Sequence, residues 1–122
     1  MAAPNILSAT SIYGKTVGRA LDTTVSTGVL TCAANKVLKI NSIIVSNIDG
    51  SSSADVTASF YDSTAATSYQ IASTVAVPAD STLIVLGKDS PIYLEESDEI
   101  RAGASANGDL VMIVSYDELD DA

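Results

Sequence analysis

The chain has 122 residues, which is enough for one domain that buries its own core without a structural metal or a disulfide. Its formal net charge at pH 7 is −9, and it contains no histidine, no tryptophan and a single cysteine, Cys32. An acidic chain repels the phosphate backbone, so we expect no nucleic-acid partner. One cysteine without any histidine disfavours a disulfide, a thiolate zinc site and a His-activated nucleophile. We therefore expect no catalytic residue, no metal site and no cofactor.

The composition is typical of β-structure. Valine and isoleucine together outnumber leucine, and serine and threonine are abundant. The first residues, MAAPNILS, lack the basic start and the long apolar core of a secretory signal. The longest apolar runs are far shorter than the roughly 20 residues that span a bilayer, so no membrane contact is expected.

The segment ATSIYGKT, from Ala9 to Thr16, resembles a phosphate-binding loop because Gly14, Lys15 and Thr16 occupy the G-K-[ST] positions. Ala9 replaces the first glycine of that motif. The loop requires a buried strand before it and a helix after it. The residues before Ala9 are too few and too polar for such a strand, and those after Thr16 are rich in glycine and β-branched residues. We interpret Gly14 and Lys15 as a turn between strands.

In chain order, the next elements are a strand over Thr24 to Thr31 and a long strand over Val37 to Ile48. The NIDG turn follows, and then ADVTASFYD, in which Val56, Ala58 and Phe60 should point inward. Because Asp49-Gly50 is a strong turn signal between two alternating segments, we expect these two strands to pair as a hairpin.

Further short strands are predicted at SYQIASTVAV, STLIVLG, PIYL, IRAGASA and DLVMIVSYDEL. The Asn107-Gly108 dipeptide predicts a hairpin between the last two of these. The four carboxylates Glu95, Glu96, Asp98 and Glu99 are interpreted as a solvated turn, with a chance divalent ion as the alternative. Residues 117–122 are predicted to form a solvated acidic tail.

About eight short strands separated by turns predict an all-β fold with one domain over residues 1–122. The expected architecture is an antiparallel β-sandwich, either immunoglobulin-like or a jelly roll.

Four sequence features carry a family resemblance: the NIDG turn, VPADSTL, PIYLEESDEI and the late Ser-Tyr pair at 115–116. With them, the chain resembles a small family of β-sandwich virion structural proteins of tailed phages, especially phages of marine bacteria. Ser97 stands where the LEEGD pattern of that family has glycine. The family pattern contains no catalytic residue.

The resemblance implies a virion protein made in the host cytoplasm, most simply a decoration protein on the capsid exterior. Such a protein would bind the outer shell and bridge major-capsid subunits, either as a monomer or as a dimer or trimer. A tail, head-tail or fibre-base adaptor is one alternative, and a carbohydrate-binding module is another.

Residues 1–13 are predicted to be an N-terminal arm or an edge strand that contacts the partner, because the segment is too apolar for a free tail. Charge supports this orientation: residues 1–79 hold four acids and four bases, whereas residues 80–122 hold eleven acids and two bases. We expect the acidic last third to face solvent. The candidate contact residues are Pro4, Asn5, Ile6, Leu7, Ile12 and Tyr13.

Overall fold

The computed structural model describes residues 11–120, which form nine β-strands and no helix. The strands are β1 (Ser11–Ala20), β2 (Gly28–Thr31), β3 (Lys36–Asn47), β4 (Ala54–Asp62), β5 (Thr67–Val77), β6 (Thr82–Leu86), β7 (Ile92–Leu94), β8 (Glu99–Ala104) and β9 (Leu110–Asp120). The all-β prediction is confirmed, with one strand more than expected. Within this range no helix is long and apolar enough to cross a membrane.

The strands form two antiparallel sheets. Sheet 1 has the order β1-β9-β3-β6, and β7 also pairs with β3. Sheet 2 has the order β2-β8-β4-β5. β6 and β7 follow one another along the same side of β3, since β6 pairs with Ile43–Ser46 and β7 with Leu38–Ile40. They act as one interrupted strand.

The pairing is nested along the chain. The first strand pairs with the last, β2 with β8, β3 with the interrupted β6 and β7, and β4 with β5. This is the pattern of one long hairpin rolled into two sheets, which is a jelly roll. Of the two architectures expected from the sequence, the jelly roll is therefore the one that forms.

The core lies between the two sheets. Sheet 1 contributes Ile40, Ile43, Val45, Met112 and Val114, each 0% exposed. Sheet 2 contributes Val56, Ala58, Ile100 and Ala102, also 0% exposed. Phe60 is partly buried against the same core, so the predicted inward face of β4 is confirmed. Each fully buried valine, isoleucine or methionine side chain contributes about 1.5–3 kcal/mol to the stability of the fold.

A bulge in β3 changes which residues face the core. Leu38 and Ile40 are buried before it, and Ile43 and Val45 after it, because the register against β9 shifts between Ile40 and Ser42. An uninterrupted alternation along this strand would place Ile44 on the same face as Ile40. Because of the bulge, Ile44 lies on the opposite face instead.

Both predicted hairpins are wrong, although both turns exist. Asp49 accepts hydrogen bonds from the N–H and hydroxyl of Ser51 at 2.9 and 3.0 Å, which closes the turn. That turn carries the chain from β3 in sheet 1 to β4 in sheet 2. Gly108, with φ of 83°, similarly connects β8 in sheet 2 to β9 in sheet 1. The apolar faces of the connected strands meet across the core instead of pairing side by side.

Three further expectations are corrected. Gly14 and Lys15 do not form a turn but lie inside β1. The strand predicted from Thr24 begins only at Gly28, because Thr24 and Val25 form a loop that crosses β8. The predicted solvated tail is not free over Asp117–Asp120: these residues belong to β9, which is hydrogen-bonded on both sides, and Leu119 is 3% exposed.

Candidate functional site

The predicted contact residues divide between described and undescribed parts of the chain. Four of them, Pro4, Asn5, Ile6 and Leu7, lie outside the described residues. Ile12 and Tyr13 lie in β1, where they are 61% and 50% exposed. Consecutive strand residues point to opposite faces, so these two side chains lie on opposite faces of the strand. β1 is an edge strand of sheet 1, so residues 11–13 lie on a sheet edge, whereas residues 1–10 of the predicted arm or edge strand lie outside the described residues.

β1 is the most regular free edge among the described strands. It pairs with β9 over ten residues without a register shift. The other edges are interrupted: β2 has four residues and a bulge, β5 has two register shifts against β4, and β6 and β7 are separated. A long regular edge presents unpaired main-chain N–H and C=O groups that another strand can join.

Three ion pairs lie where β1, β9 and β3 come together. Lys15 Nζ is 3.0 Å from Glu118 Oε2, and Lys36 Nζ is 3.2 Å from both Glu118 Oε2 and Asp120 Oδ2. Partial burial of Glu118 opposes its ionisation, but the two lysine ammonium groups outweigh this effect and lower the pKa of Glu118 below its usual value. Hydrogen bonds to Asp120 and Glu118 raise the pKa of Lys36.

These contacts join the two segments that differ in charge. Two bases of the neutral first third, Lys15 and Lys36, neutralise acids of the acidic last third. The reason is topological, since a jelly roll places its last strand between its first and third strands. Within residues 11–120, strands of both segments therefore share sheet 1, and Glu118 and Asp120 are paired with bases of the first third.

The acidic turn between β7 and β8 contains one buried carboxylate. Asp98 is 4% exposed and accepts hydrogen bonds from the main-chain N–H groups of Ser63 and Glu95. Glu96 accepts a hydrogen bond from the N–H of Asn35 at 3.0 Å. The solvated-turn interpretation is therefore wrong for Asp98. Within residues 11–120, no three potential metal-ligating side chains come together as a metal site.

Cys32 lies at the end of β2 and is 2% exposed. Burial, opposed by a main-chain hydrogen bond from Leu38, raises the pKa of its thiol to about 11. Its Sγ lies 3.2 Å from the carbonyl oxygen of Lys36, to which it donates. The thiol is therefore protonated at neutral pH and packs as a small apolar group.

Two open grooves lie on the outer surface of sheet 2, one on each side of the loop residue Val25. The larger is about 440 Å³ and is lined by Val25, Ser26, Thr57, Ser59, Ser68, Tyr69 and Gln70. The smaller is about 300 Å³. Tyr69 is 54% exposed and stacks on Phe60 with ring centroids 6.4 Å apart. Tyr69 is opposite Phe60 in register, so its ring lies on the same inward-facing side of sheet 2 as Phe60 and reaches solvent at the β5 edge. The larger groove therefore presents mainly uncharged hydroxyl and amide groups, which the sequence analysis did not identify.

The chain matches no protein-family model, and a search among curated proteins also finds no match.

Proposed function

We propose that this protein is a structural component of a tailed-phage virion, and specifically a decoration protein that binds the outer capsid shell. The virion assignment is based on the sequence resemblance through NIDG, VPADSTL and PIYLEESDEI. Jelly rolls also occur in viral capsid proteins, which is an analogy at the level of the fold.

The regular edge of β1 carries the attachment part of the proposal. Ile12 and Tyr13 provide exposed apolar surface at the start of this edge. A strand or arm of the major capsid protein that pairs with β1 would gain main-chain hydrogen bonds from the edge and apolar contact with these side chains. Lys15 within the same strand discourages unselective pairing between copies, because a charged side chain on an edge strand opposes it.

The first test is the copy number in purified particles produced from the genome that encodes this chain. Hundreds of copies per virion, measured by quantitative gel against the major capsid protein, are expected for shell decoration. Six, twelve or a few copies would instead assign the chain to a vertex, tail or fibre-base adaptor. A chain missing from the particles would overturn the virion assignment.

The second test concerns the β1 edge. Ile12→Asp and Tyr13→Asp each place a charge on an exposed position, so the domain should fold normally while binding to particles that lack the protein falls. Ile48→Asp is the matched control, because Ile48 is 63% exposed and lies in the turn after β3, at the opposite end of the sandwich. Equal binding by all three variants would place the contact elsewhere.

The groove on sheet 2 favours a second candidate function, the binding of an uncharged saccharide. Gln70 and the surrounding hydroxyls provide hydrogen-bonding groups, and the exposed side chain of Val25 provides an apolar contact. A glycan array tests this function. Binding that is lost in Gln70→Ala and retained in Tyr13→Ala would support it, and an array without binding would remove it.

A further inference from the structure

The outer face of sheet 1, which points away from the core, carries a row of three isoleucines. Ile44 lies directly opposite Ile84 of β6 on one side and Ile113 of β9 on the other. Ile43 and Val45 are buried, so the alternation of the strand turns Ile44 outward. Ile84 is 67% exposed, which is the highest exposure among the large apolar side chains of residues 11–120. The row ends at Gly18 of β1, which pairs with Ile113.

A second row crosses the same face nearer the other end of the strands. It consists of Tyr93 of β7, Lys39 of β3, Asp117 of β9 and Gly14 of β1, each opposite the next. Tyr93 is 42% exposed. Lys39 and Asp117 are opposite in register, yet no salt bridge joins them within the described chain. This face thus carries one positive and one negative side chain in a protein of net charge −9.

Both rows have the same order across the sheet: a large exposed side chain on β6 or β7, two central residues, and a glycine on β1. Consider a second copy stacked on this face and related to the first by a two-fold axis. The axis lies between the two copies, runs parallel to the strands and passes midway between β3 and β9. Each row would then face the same row of the second copy in reverse order. Lys39 of one copy would then face Asp117 of the second copy, and Ile44 would face the second copy's Ile113. Ile84 would project toward the second copy's Gly18, and Tyr93 toward its Gly14. The face is therefore complementary to itself in both charge and shape.

Nothing within the chain requires glycine at positions 14 and 18. A Cβ on Gly14 would lie 3.8 Å from the nearest atom, and one on Gly18 would lie 3.9 Å away, which are ordinary contact distances. Neither has a positive φ. Glycine inside a strand is destabilising relative to alanine, and it often marks the close approach of a ligand or another backbone. An opposing isoleucine and tyrosine supply such an approach.

We infer that a second copy of this chain docks on the outer face of sheet 1, and that the two copies are related by this two-fold axis. Sheets that pack face to face lie about 10 Å apart with their strands within about 30° of each other, so the central pairs meet most directly. The two rows and the positions between them cover about 450 Å² per copy from strand spacing and rise, which corresponds to an interface at the weak end of the specific range. Val37 and Leu119, on the same face beyond the second row, are buried within the protomer and lie outside this area. The inference is independent of the proposed capsid function.

A charge-swap experiment tests the pairing. Sedimentation velocity of the wild-type protein from micromolar to millimolar concentration should show a reversible dimer. Lys39→Asp and Asp117→Lys should each weaken that dimer by at least about tenfold, since both symmetric contacts become like-charge pairs. An equimolar mixture of the two variants should recover wild-type association, because both contacts between unlike copies again join opposite charges.

The mixture also separates association from folding. Each substitution places like charges opposite one another within its own chain, which lowers the stability of that variant slightly. Mixing does not change that intrachain effect, so recovered association can come only from contacts between copies. A wild-type protein that stays monomeric to millimolar concentration would overturn the inference. A dimer unaffected by both single variants would also overturn it.

A steric experiment tests the shape match independently. Gly18→Val should fold with an equal or higher thermal midpoint, because valine suits an open strand position, but it should abolish the dimer by colliding with Ile84. Adding Ile84→Ala to that variant should restore association. Thr16→Val is the control on the same face of β1. In the proposed dimer Thr16 faces the gap between β6 and β7 of the second copy, so valine at this position should not collide with it. A dimer that tolerates Gly18→Val would contradict the proposed geometry.

Discussion

The Asp98 carboxylate holds Ser63 by two hydrogen bonds: it accepts from the main-chain N–H at 2.9 Å and from the hydroxyl at 3.0 Å. A third bond comes from the N–H of Glu95 at 3.0 Å. Ser63 follows β4, whereas Asp98 precedes β8, so one buried side chain connects two loops at the same end of the sandwich.

Asp98→Ala should lower the free energy of unfolding by about 2–4 kcal/mol, because three donors lose a charged acceptor in a buried place. Urea unfolding followed by circular dichroism measures this change. Glu95→Ala is the control, since that side chain is exposed and should alter stability by less than about 0.5 kcal/mol. Equal stability of the two variants would show that the hydrogen bonds accepted by Asp98 do not stabilise the fold.

Ser97 occupies the left-handed backbone region with φ of 71°, at the position where the related sequence pattern has glycine. Ser97→Gly should therefore stabilise the fold by up to about 1 kcal/mol, because glycine adopts this conformation without steric cost. Gly108→Ala is the reciprocal test: its φ is 83°, and the variant should be destabilised by about 1 kcal/mol. Thermal midpoints that move in the same direction for both variants would contradict this account.

Glycine is required at position 103 because a side chain would not fit there, and its backbone conformation does not itself require glycine. A Cβ there would lie 2.7 Å from Val25 Cα and 2.8 Å from the carbonyl of Thr24. Gly103→Ala should push the β1–β2 loop off sheet 2 and destabilise the protein by about 1–3 kcal/mol. Gly87→Ala is matched to it, since no atom lies within 4 Å of the added methyl group. Limited proteolysis within residues 22–27 should be faster only in the first variant, and identical digestion would argue against the close contact.

The ion pairs of Glu118 predict a specific acid sensitivity. Its folded-state pKa is below its ordinary value of 4.5, so its contribution is complete above that value and is lost as pH falls through the lower folded value. Glu118→Gln should lose about 0.5–1 kcal/mol near neutral pH and show a shallower decline of stability in acid than the wild-type protein. Parallel pH profiles of the two proteins would rule out this contribution.

Lys15 lies in a motif that resembles a nucleotide-binding loop, but its environment is a strand. Its ammonium group pairs with Glu118, and its side chain is 46% exposed. We expect no binding of ATP or GTP by isothermal titration calorimetry, and a change of no more than about 0.5 kcal/mol in stability for Lys15→Ala. Nucleotide affinity that disappears in this variant would overturn that expectation.

The existence of most strands could be read from the sequence. The positions of β6, β7, β8 and β9 follow closely from the sequence, because short apolar runs bounded by turn residues predict strands. The turn residues Asp49 and Gly108 were also identified, since their local hydrogen bonding and backbone conformation depend on adjacent residues alone.

What the sequence could not determine was which strands are neighbours. Alternation in β3 and β4 indicates that both bury one face, but that requirement is met equally by pairing within one sheet and by packing across two. The structure chooses the second arrangement. The β3 bulge and the position of β9 between β1 and β3 follow from the same long-range pairing.

The candidate surfaces divide in the same way. Ile12 and Tyr13 were identified from the sequence, because an apolar segment near a terminus without a core of its own predicts a contact. Gly18 and Ile84 are 66 positions apart, and only the pairing of β1 with β9, β9 with β3 and β3 with β6 places them in one row. Local residue patterns thus determined the strands and turns, whereas hydrogen bonding between distant segments determined the faces on which function is proposed.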